Sequence, residues 1–216
     1  MWEYLIQMDV ELFRWINQRW TSPWADGFLS LISDFNTMKW VLLPVLVGVA
    51  IWGGLRGRLM LGLMLAALVI GDAGINWAIK RTVNRPRPYQ GLEDVRRVEW
   101  DRQAWGPKIT VVSKQPWERG RSMTSGHVCN NVALAFLASL FFAPWGRLVW
   151  IWAGLIAYSR VYTADHYPSD VVASFFVATA YTAGICCVAQ FLWQHYGSRY
   201  FPNAHARHPR LYERLF

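Results

Sequence analysis

The stretch SMTSGHVCNN, residues 122 to 131, sets a hydroxyl, a glycine and an imidazole directly before an apolar run from Val132 to Phe142. Thr124 or Ser125 can cap a helix there, which would leave the amides of Ser125, Gly126 and His127 unpaired at the positive end of the helix dipole. Amides so placed form an anion site, and Gly126 lets the backbone come close to a ligand. Taken alone, these residues fit an ordinary N-cap followed by an interfacial histidine equally well.

Two further groups carry compatible chemistry. In SRVYTADHYPSD, Ser159 to Asp170, a helix opened by Tyr167-Pro168 puts His166 and Asp170 one turn apart on one face. A carboxylate there can take the proton on one imidazole nitrogen and leave the other as a nucleophile; the plainer alternative is a hydrogen bond that only starts a helix. In KRTVNRPRP, Lys80 to Pro88, Pro86 and Pro88 stop a helix, so Lys80 sits at its end and Arg85 and Arg87 on a stiff extended segment. A basic anchor for anionic headgroups would look the same. Together the groups supply cations, an amide nest, two histidines and an orienting carboxylate. That set suits phosphoryl transfer through a phosphohistidine, with Lys and Arg rather than Mg²⁺ neutralising the phosphoryl oxygens.

The elements that must position these groups are membrane helices. Of 216 residues 54% are hydrophobic, 14 are Trp and the net charge is +8, and the apolar residues come in blocks rather than stripes. Runs near 40–55, 59–79, 128–143, 148–164 and 171–193 are each about long enough to cross, or nearly cross, a bilayer core of roughly 30 Å. The sequence therefore predicts an all-α fold, a polytopic membrane helix bundle with five clear spans and room for a sixth. Residues 1–38 are expected to form N-terminal interfacial amphipathic helices. In residues 1–20 Glu3, Asp9, Glu11, Arg14 and Arg19 interrupt the apolar pattern, and Thr21-Ser22-Pro23 starts a second helix. The same acids argue against a cleavable signal. Residues 39–193 make the transmembrane catalytic bundle, and 194–216 a basic tail with Arg199, Arg207, Arg210 and Arg214. Cys129, Cys186 and Cys187 fall within spans, as packing residues rather than disulfides or metal ligands. Short turns at 56–58 and 144–147 bring residues 80–127, residues 159–170 and the start of the first span to one membrane face.

With those residues in place, the chain resembles the type 2 phosphatidic acid phosphatase superfamily, whose pattern is K-x6-RP, then PSGH, then SR-x5-H-x3-D. Lys80, Arg87 and Pro88 match the first part; Ser125, Gly126 and His127 the second, with Thr124 in place of proline; Ser159, Arg160, His166 and Asp170 the third. The resemblance implies that His166 is the nucleophile, Asp170 its orienting partner and His127 the general acid. Lys80, Arg87, Ser125, Gly126 and Arg160 would bind the phosphate. It further implies an integral-membrane, metal-independent lipid phosphate or diphosphate phosphatase, without cofactor. Undecaprenyl diphosphate, phosphatidylglycerol phosphate, phosphatidic acid and lipid A phosphates are the substrate classes of that branch. A lipid phosphotransferase with the same site, or a non-catalytic phospholipid binder or transporter, are the alternatives. The expected partners are a lipid phosphate and the bilayer, not nucleic acid; the oligomeric state stays open.

Three features are particular to this chain. The connection 81–121 is long for a structureless loop and reads equally as a lid on anionic headgroups or as a solvated loop with interfacial tryptophans, carrying Arg96, Arg97, Arg102, Lys108, Trp100, Trp105 and Trp117. Asp72, Asn76 and Lys80 recur every four residues, so Asp72 and Asn76 are expected either to support the site from beneath or to make a plain interhelical hydrogen bond. The cations of residues 80–121 would place this face in the cytoplasm, whereas the basic tail and the family's usual arrangement favour a bacterial inner-membrane protein with its site on the periplasmic or exterior face. The second placement is the expectation carried forward.

Overall fold

Ser22 and Asp34 start two successive helices by the same device. In a computed structural model that describes residues 2–114 and 120–212, the Ser22 hydroxyl accepts from the Ala25 amide at 3.2 Å and the Asp34 carboxylate from the Thr37 amide at 3.1 Å. α2 (Pro23–Ser33) and α3 (Phe35–Trp52) follow these caps, preceded by α1 (Trp2–Arg14). None of the residues of α3 is buried, and its surface shows Trp40, Val41, Leu43 and Val45. Such a cylinder is stable in hydrocarbon, where its backbone is satisfied internally.

The chain reverses at Gly53-Gly54, where Gly54 takes the left-handed conformation (φ 59°) that glycine reaches without strain. α4 (Gly54–Ala67), a π-helical stretch (Leu68–Asn76) and α5 (Trp77–Val83) then make one rod. The rod ends at Asn84, itself left-handed (φ 47°), two residues before Pro86. α7 (Gly126–Phe141), α8 (Val149–Tyr162) and α9 (Pro168–Tyr200) complete the bundle. α7 is its centre, packed on α4, α8 and α9. Small residues make the close approach possible: Cys129 and Ala133 of α7 are buried with Ala67 and Ala178. Gly71 lies against the Tyr181 ring, where a Cβ would stand 2.4 Å from a ring carbon.

Three of the described helices, beginning at Phe35, Gly54 and Pro168, are long and apolar enough to cross a membrane; α7 is apolar but shorter. α9 runs past the expected end at Trp193 to Tyr200, and α10 (Pro202–Arg207) begins the tail.

The all-α expectation needs one correction. The fold is mostly helical, but β1 (Val95–Asp101) and β2 (Gly106–Val112) form an antiparallel hairpin within the expected lid, pairing Val95 with Val112 and Asp101 with Gly106. α6 (Pro88–Gly91) precedes it. The hairpin is docked: Val95 and Val98 are buried against Phe13, Ile16, Leu29, Ile32 and Tyr162. Buried Asn17 bonds both sides of this junction, donating to the carbonyls of Arg96 (2.7 Å) and Tyr162 (2.9 Å). Arg96 pairs with Asp26, which also accepts from the Tyr162 hydroxyl at 2.5 Å. Arg96 therefore holds the hairpin down, and Arg97 pairs with Glu99 at 2.6 Å. Trp100 and Trp105 meet edge to face at 5.7 Å. Trp117 and Arg214 lie outside the described residues.

Candidate active site

His166 stands in the turn between α8 and α9, buried, with Nδ1 2.5 Å from the carbonyl oxygen of Ser122. A carbonyl can only accept, so Nδ1 carries the proton and the lone pair is on Nε2. Burial first, then the charge of Arg160, pushes the His166 pKa well below its usual 6.5. The ring is therefore neutral at neutral pH.

Asp170 does not do what its spacing suggests. Its carboxylate is 3.9 Å from His166 Nδ1, beyond hydrogen-bond reach. It accepts instead from the Ser122 hydroxyl (2.5 Å), the Tyr167 amide (3.0 Å) and Arg85 (2.7 Å). Carboxylate and imidazole thus share one partner residue, Ser122. Its position is set by close packing of residues 120–122 on the end of the rod: the Ser122 amide donates to the Arg85 carbonyl at 3.0 Å, and the Gly120 amide to the Asn84 side chain at 2.8 Å. A Cβ on Gly120 would stand 2.2 Å from the Arg85 carbonyl carbon, so only glycine fits.

The start of α7 is built as a cap. Ser125, not Thr124, is the N-cap, and its amide is not free as expected: it donates to Ser174 Oγ at 2.8 Å. The amides of Gly126 and His127 remain as the donors a helix start presents. Thr124 donates to Asn76 Oδ1 (2.8 Å), and Asn76 donates to Asp72 Oδ1 (3.3 Å). Asp72 fills the space a side chain at position 126 would need, 2.7 Å from an added Cβ. Both of the helix-face polar residues therefore brace the cap from below.

Arg87 and Arg160 meet across Asp165. Arg87 reaches one carboxylate oxygen at 3.0 Å, Arg160 the other at 2.8 Å, and Thr163 donates to it at 2.9 Å. Burial alone would raise the Asp165 pKa, but Arg160 and Arg87 outweigh it and hold the group lowered. Arg87 of the first segment meets Asp165 of the third, and Ser122, at the head of the second, meets His166 and Asp170, so the three segments converge. His127 Nε2 and Arg160 Nε are buried without a hydrogen-bond partner among the described residues. An imidazole nitrogen and a guanidinium N–H in that condition are partners for an anion with several oxygens.

The roles of Ser122, Asp165 and Asp9 escape reading from the sequence, and Arg85 is legible only as one of the cations after the helix end, not as the partner of Asp9 and Asp170. Ser122 and Asp165 flank motif residues, and nothing in their spacing sets them apart from neighbouring polar residues. Arg85 and Asp9 meet at 2.6 Å only because α1 folds back onto the site.

The family model of the PAP2 superfamily matches residues 57–194, which include every motif residue described above. The chain belongs to the PAP2 superfamily. It is a phosphatase of that type, a phosphoric monoester hydrolase carried on apolar, membrane-spanning helices. Its fold is similar to that of LpxE from Aquifex aeolicus, at 23% identity and a TM-score of 0.61, over 82% of this chain and 94% of that one. It is also similar to a transmembrane PAP2-type phosphatidylglycerolphosphate phosphatase from Bacillus subtilis, at 20% identity and a TM-score of 0.53, over 84% and 85%. No curated protein matches the chain.

Proposed function

We propose that this PAP2 phosphatase removes phosphate from a lipid phosphate by nucleophilic attack of His166. The observation that carries the reading is the buried, neutral His166, held by the Ser122 carbonyl with Nε2 unprotonated beside Arg160. In the first step the Nε2–P bond forms and the bond from phosphorus to the lipid oxygen breaks. His127, which takes up a proton when the negative charge of the bound phosphate offsets that of Arg160, gives it to that oxygen, so the lipid leaves as an alcohol. In the second step His127 takes a proton from water, whose oxygen displaces Nε2 and releases inorganic phosphate. Arg87, Arg160, Lys80 and the amides at Gly126 and His127 neutralise the equatorial oxygens, which assigns charge stabilisation to fixed cations instead of a metal ion.

Helix lengths support a lipid substrate. α7 and α8, with 16 and 14 residues, span about 24 and 21 Å, short of the roughly 30 Å core. Helices this short reach no further than the headgroup layer, which supports a substrate held at the bilayer surface. The solved phosphatidylglycerolphosphate phosphatase adds to the case for a phosphate monoester on a glycerolipid. The site end carries more cations, but Arg85, Arg87, Arg96, Arg97 and Arg160 there are paired with carboxylates, whereas Arg56, Arg58, Arg147, Arg207 and Arg210, away from His166, have no carboxylate partner among the described residues. This supports the distal end in the cytoplasm and the site on the periplasmic or exterior face.

The test is phosphate release by purified protein in detergent from phosphatidylglycerol phosphate, phosphatidic acid, undecaprenyl diphosphate and lipid A phosphates, without added acceptor and with and without EDTA. Wild type should release phosphate unaffected by chelator and form an acid-labile phosphoenzyme; His166→Ala should do neither. No release without acceptor, with phosphate passing to a lipid alcohol supplied in a second arm, would identify a phosphotransferase, and loss of activity in EDTA would overturn the assignment of charge stabilisation to arginine and lysine.

A further inference from the structure

The end of the bundle opposite His166 holds a second concave site. α7 leads from Gly126 at the active site to Phe141, and α9 from Pro168 to Trp193 and beyond. Where they end, the turn after α3, the turn after α7 and the C-terminal segment enclose a cavity of about 600 Å³. Each of these three segments contributes arginine: Arg56 from the first, Arg147 from the second, Arg207 and Arg210 from the third. Leu59, Phe141, Trp193 and Leu211 form apolar walls.

The tail is fastened over this cavity. The Trp193 indole donates to the His208 carbonyl at 2.8 Å, and the Leu211 amide to Gln190 Oε1 at 3.0 Å. The buried Tyr212 hydroxyl donates to the Cys186 carbonyl, and its ring meets Phe141 edge to face at 5.8 Å. Gly197 lets α10 lie close, since a Cβ there would stand 2.6 Å from the His205 ring. The backbone that carries Arg207 and Arg210 is therefore held in place.

Charge then identifies the ligand. Among the described residues none of the four arginines pairs with a carboxylate. Every described Asp and Glu lies in the N-terminal helices, the hairpin region or the active-site end. Four arginines around one cavity, none paired with a described carboxylate, favour an anionic ligand. The apolar walls, at the end of helices that lie in hydrocarbon, favour an anion carrying an acyl chain over a free ion. We propose that this cavity binds the phosphate of an anionic phospholipid in the leaflet opposite the active site. The site stands independently of the catalytic reading.

Native mass spectrometry of the full chain in detergent tests this with phosphatidylglycerol, whose phosphodiester has no terminal phosphate to hydrolyse, against phosphatidylcholine. Wild type should bind phosphatidylglycerol in preference, and so should Arg87→Gln, which alters only the active site. Arg56→Gln, Arg147→Gln and Arg210→Gln should each weaken binding about fivefold, and pairs of them more, as expected for a cation near an anionic headgroup. The single substitutions lie at exposed turns, so a pair that fails to fold leaves the graded series intact. Equal binding of phosphatidylcholine, or undiminished binding by the variants, would overturn the proposal. Displacement of the lipid by millimolar inorganic phosphate would mark a free-anion site and overturn the lipid assignment.

Discussion

Ser122 holds the His166 ring by its backbone carbonyl, 2.5 Å from Nδ1, while its hydroxyl meets Asp170 at the same distance. The carboxylate acts on the imidazole through this residue. Where a carboxylate itself fixes the tautomer, its amide replacement costs about 10⁴-fold in kcat. Here the carbonyl survives that change, so Asp170→Asn should lower kcat only about 10- to 100-fold, the scale for a group that supports a ligating or reacting imidazole. Ser122→Ala keeps the carbonyl and should cost less than Asp170→Asn. KM should hardly move in either, because neither group touches the phosphate. Steady-state phosphate release, with melting curves to verify folding, gives both constants; a loss near 10⁴ for Asp170→Asn would mean that carboxylate and ring meet directly in the working enzyme.

His166 must be neutral to attack, and its pKa lies well below 6.5 because of burial and the positive charge of Arg160. A lowered pKa moves protonation of the free enzyme to more acid pH. The acid limb of kcat/KM assigned to His166 should therefore fall below pH 6.5. Asp165 works in the opposite direction, raising the His166 pKa. Removing its charge in Asp165→Asn should move the acid limb further down, while Arg160→Gln should move it up. A pH profile with a substrate whose own phosphate ionisation is known separates these shifts from titration of the ligand.

Asp165 also occupies the phosphate-binding arginines. Its two oxygens take donors of Arg87 and Arg160 that a phosphoryl group must share, and its charge opposes an incoming anion. Asp165→Asn should tighten inhibition by inorganic phosphate and by vanadate about tenfold, a modest Coulomb effect for one charge a few ångströms away in a partly screened site. Product release would slow correspondingly, so kcat should fall as affinity rises. Weaker inhibition in the variant would show that the carboxylate mainly aims the two guanidinium groups.

The motif residues were legible because each has a local cause. Ser22 before Pro23, Ser125 before Gly126, and Pro86 after Asn84 fix helix ends through caps and missing donors, and helix ends are where the chemistry collects. The hairpin was not legible: Val95 and Val98 are three apart with Arg96 and Arg97 between, so the alternation that marks a strand is absent. Its strands are set by docking on Phe13 and Leu29 instead. The direct His166–Asp170 bond implied by four-residue spacing fails for a similar reason. One helical turn brings the two side chains to the same face, but Ser122, delivered from a distant segment, takes the position between them.

Arg85 couples the N-terminal helix to the same carboxylate. Its guanidinium reaches Asp9 at 2.6 Å and Asp170 at 2.7 Å, and lies 3.9 Å over the Tyr167 ring. Burial disfavours its charge, yet Asp170 and Asp9 more than offset this and raise its pKa, so it stays charged throughout the working range. Asp9 also accepts from the Ser169 amide at 2.8 Å, so α1 is pinned to the first turn of α9. Arg85→Gln leaves Asp170 buried without its ion pair, and should cost about 3 kcal/mol. Asp9→Asn keeps an oxygen for the Ser169 amide and gives up only the partly exposed pair, so about 1 kcal/mol is expected. Thermal unfolding in detergent should therefore rank wild type above Asp9→Asn and Asp9→Asn above Arg85→Gln. In the double variant Arg85→Gln with Asp170→Asn the fully buried charge is gone and only that of Asp9 is left without its ion pair, so part of the lost stability should return; a double variant no more stable than Arg85→Gln would mean that stacking on Tyr167 and the pair with Asp9, not the pair with Asp170, are what Arg85 contributes.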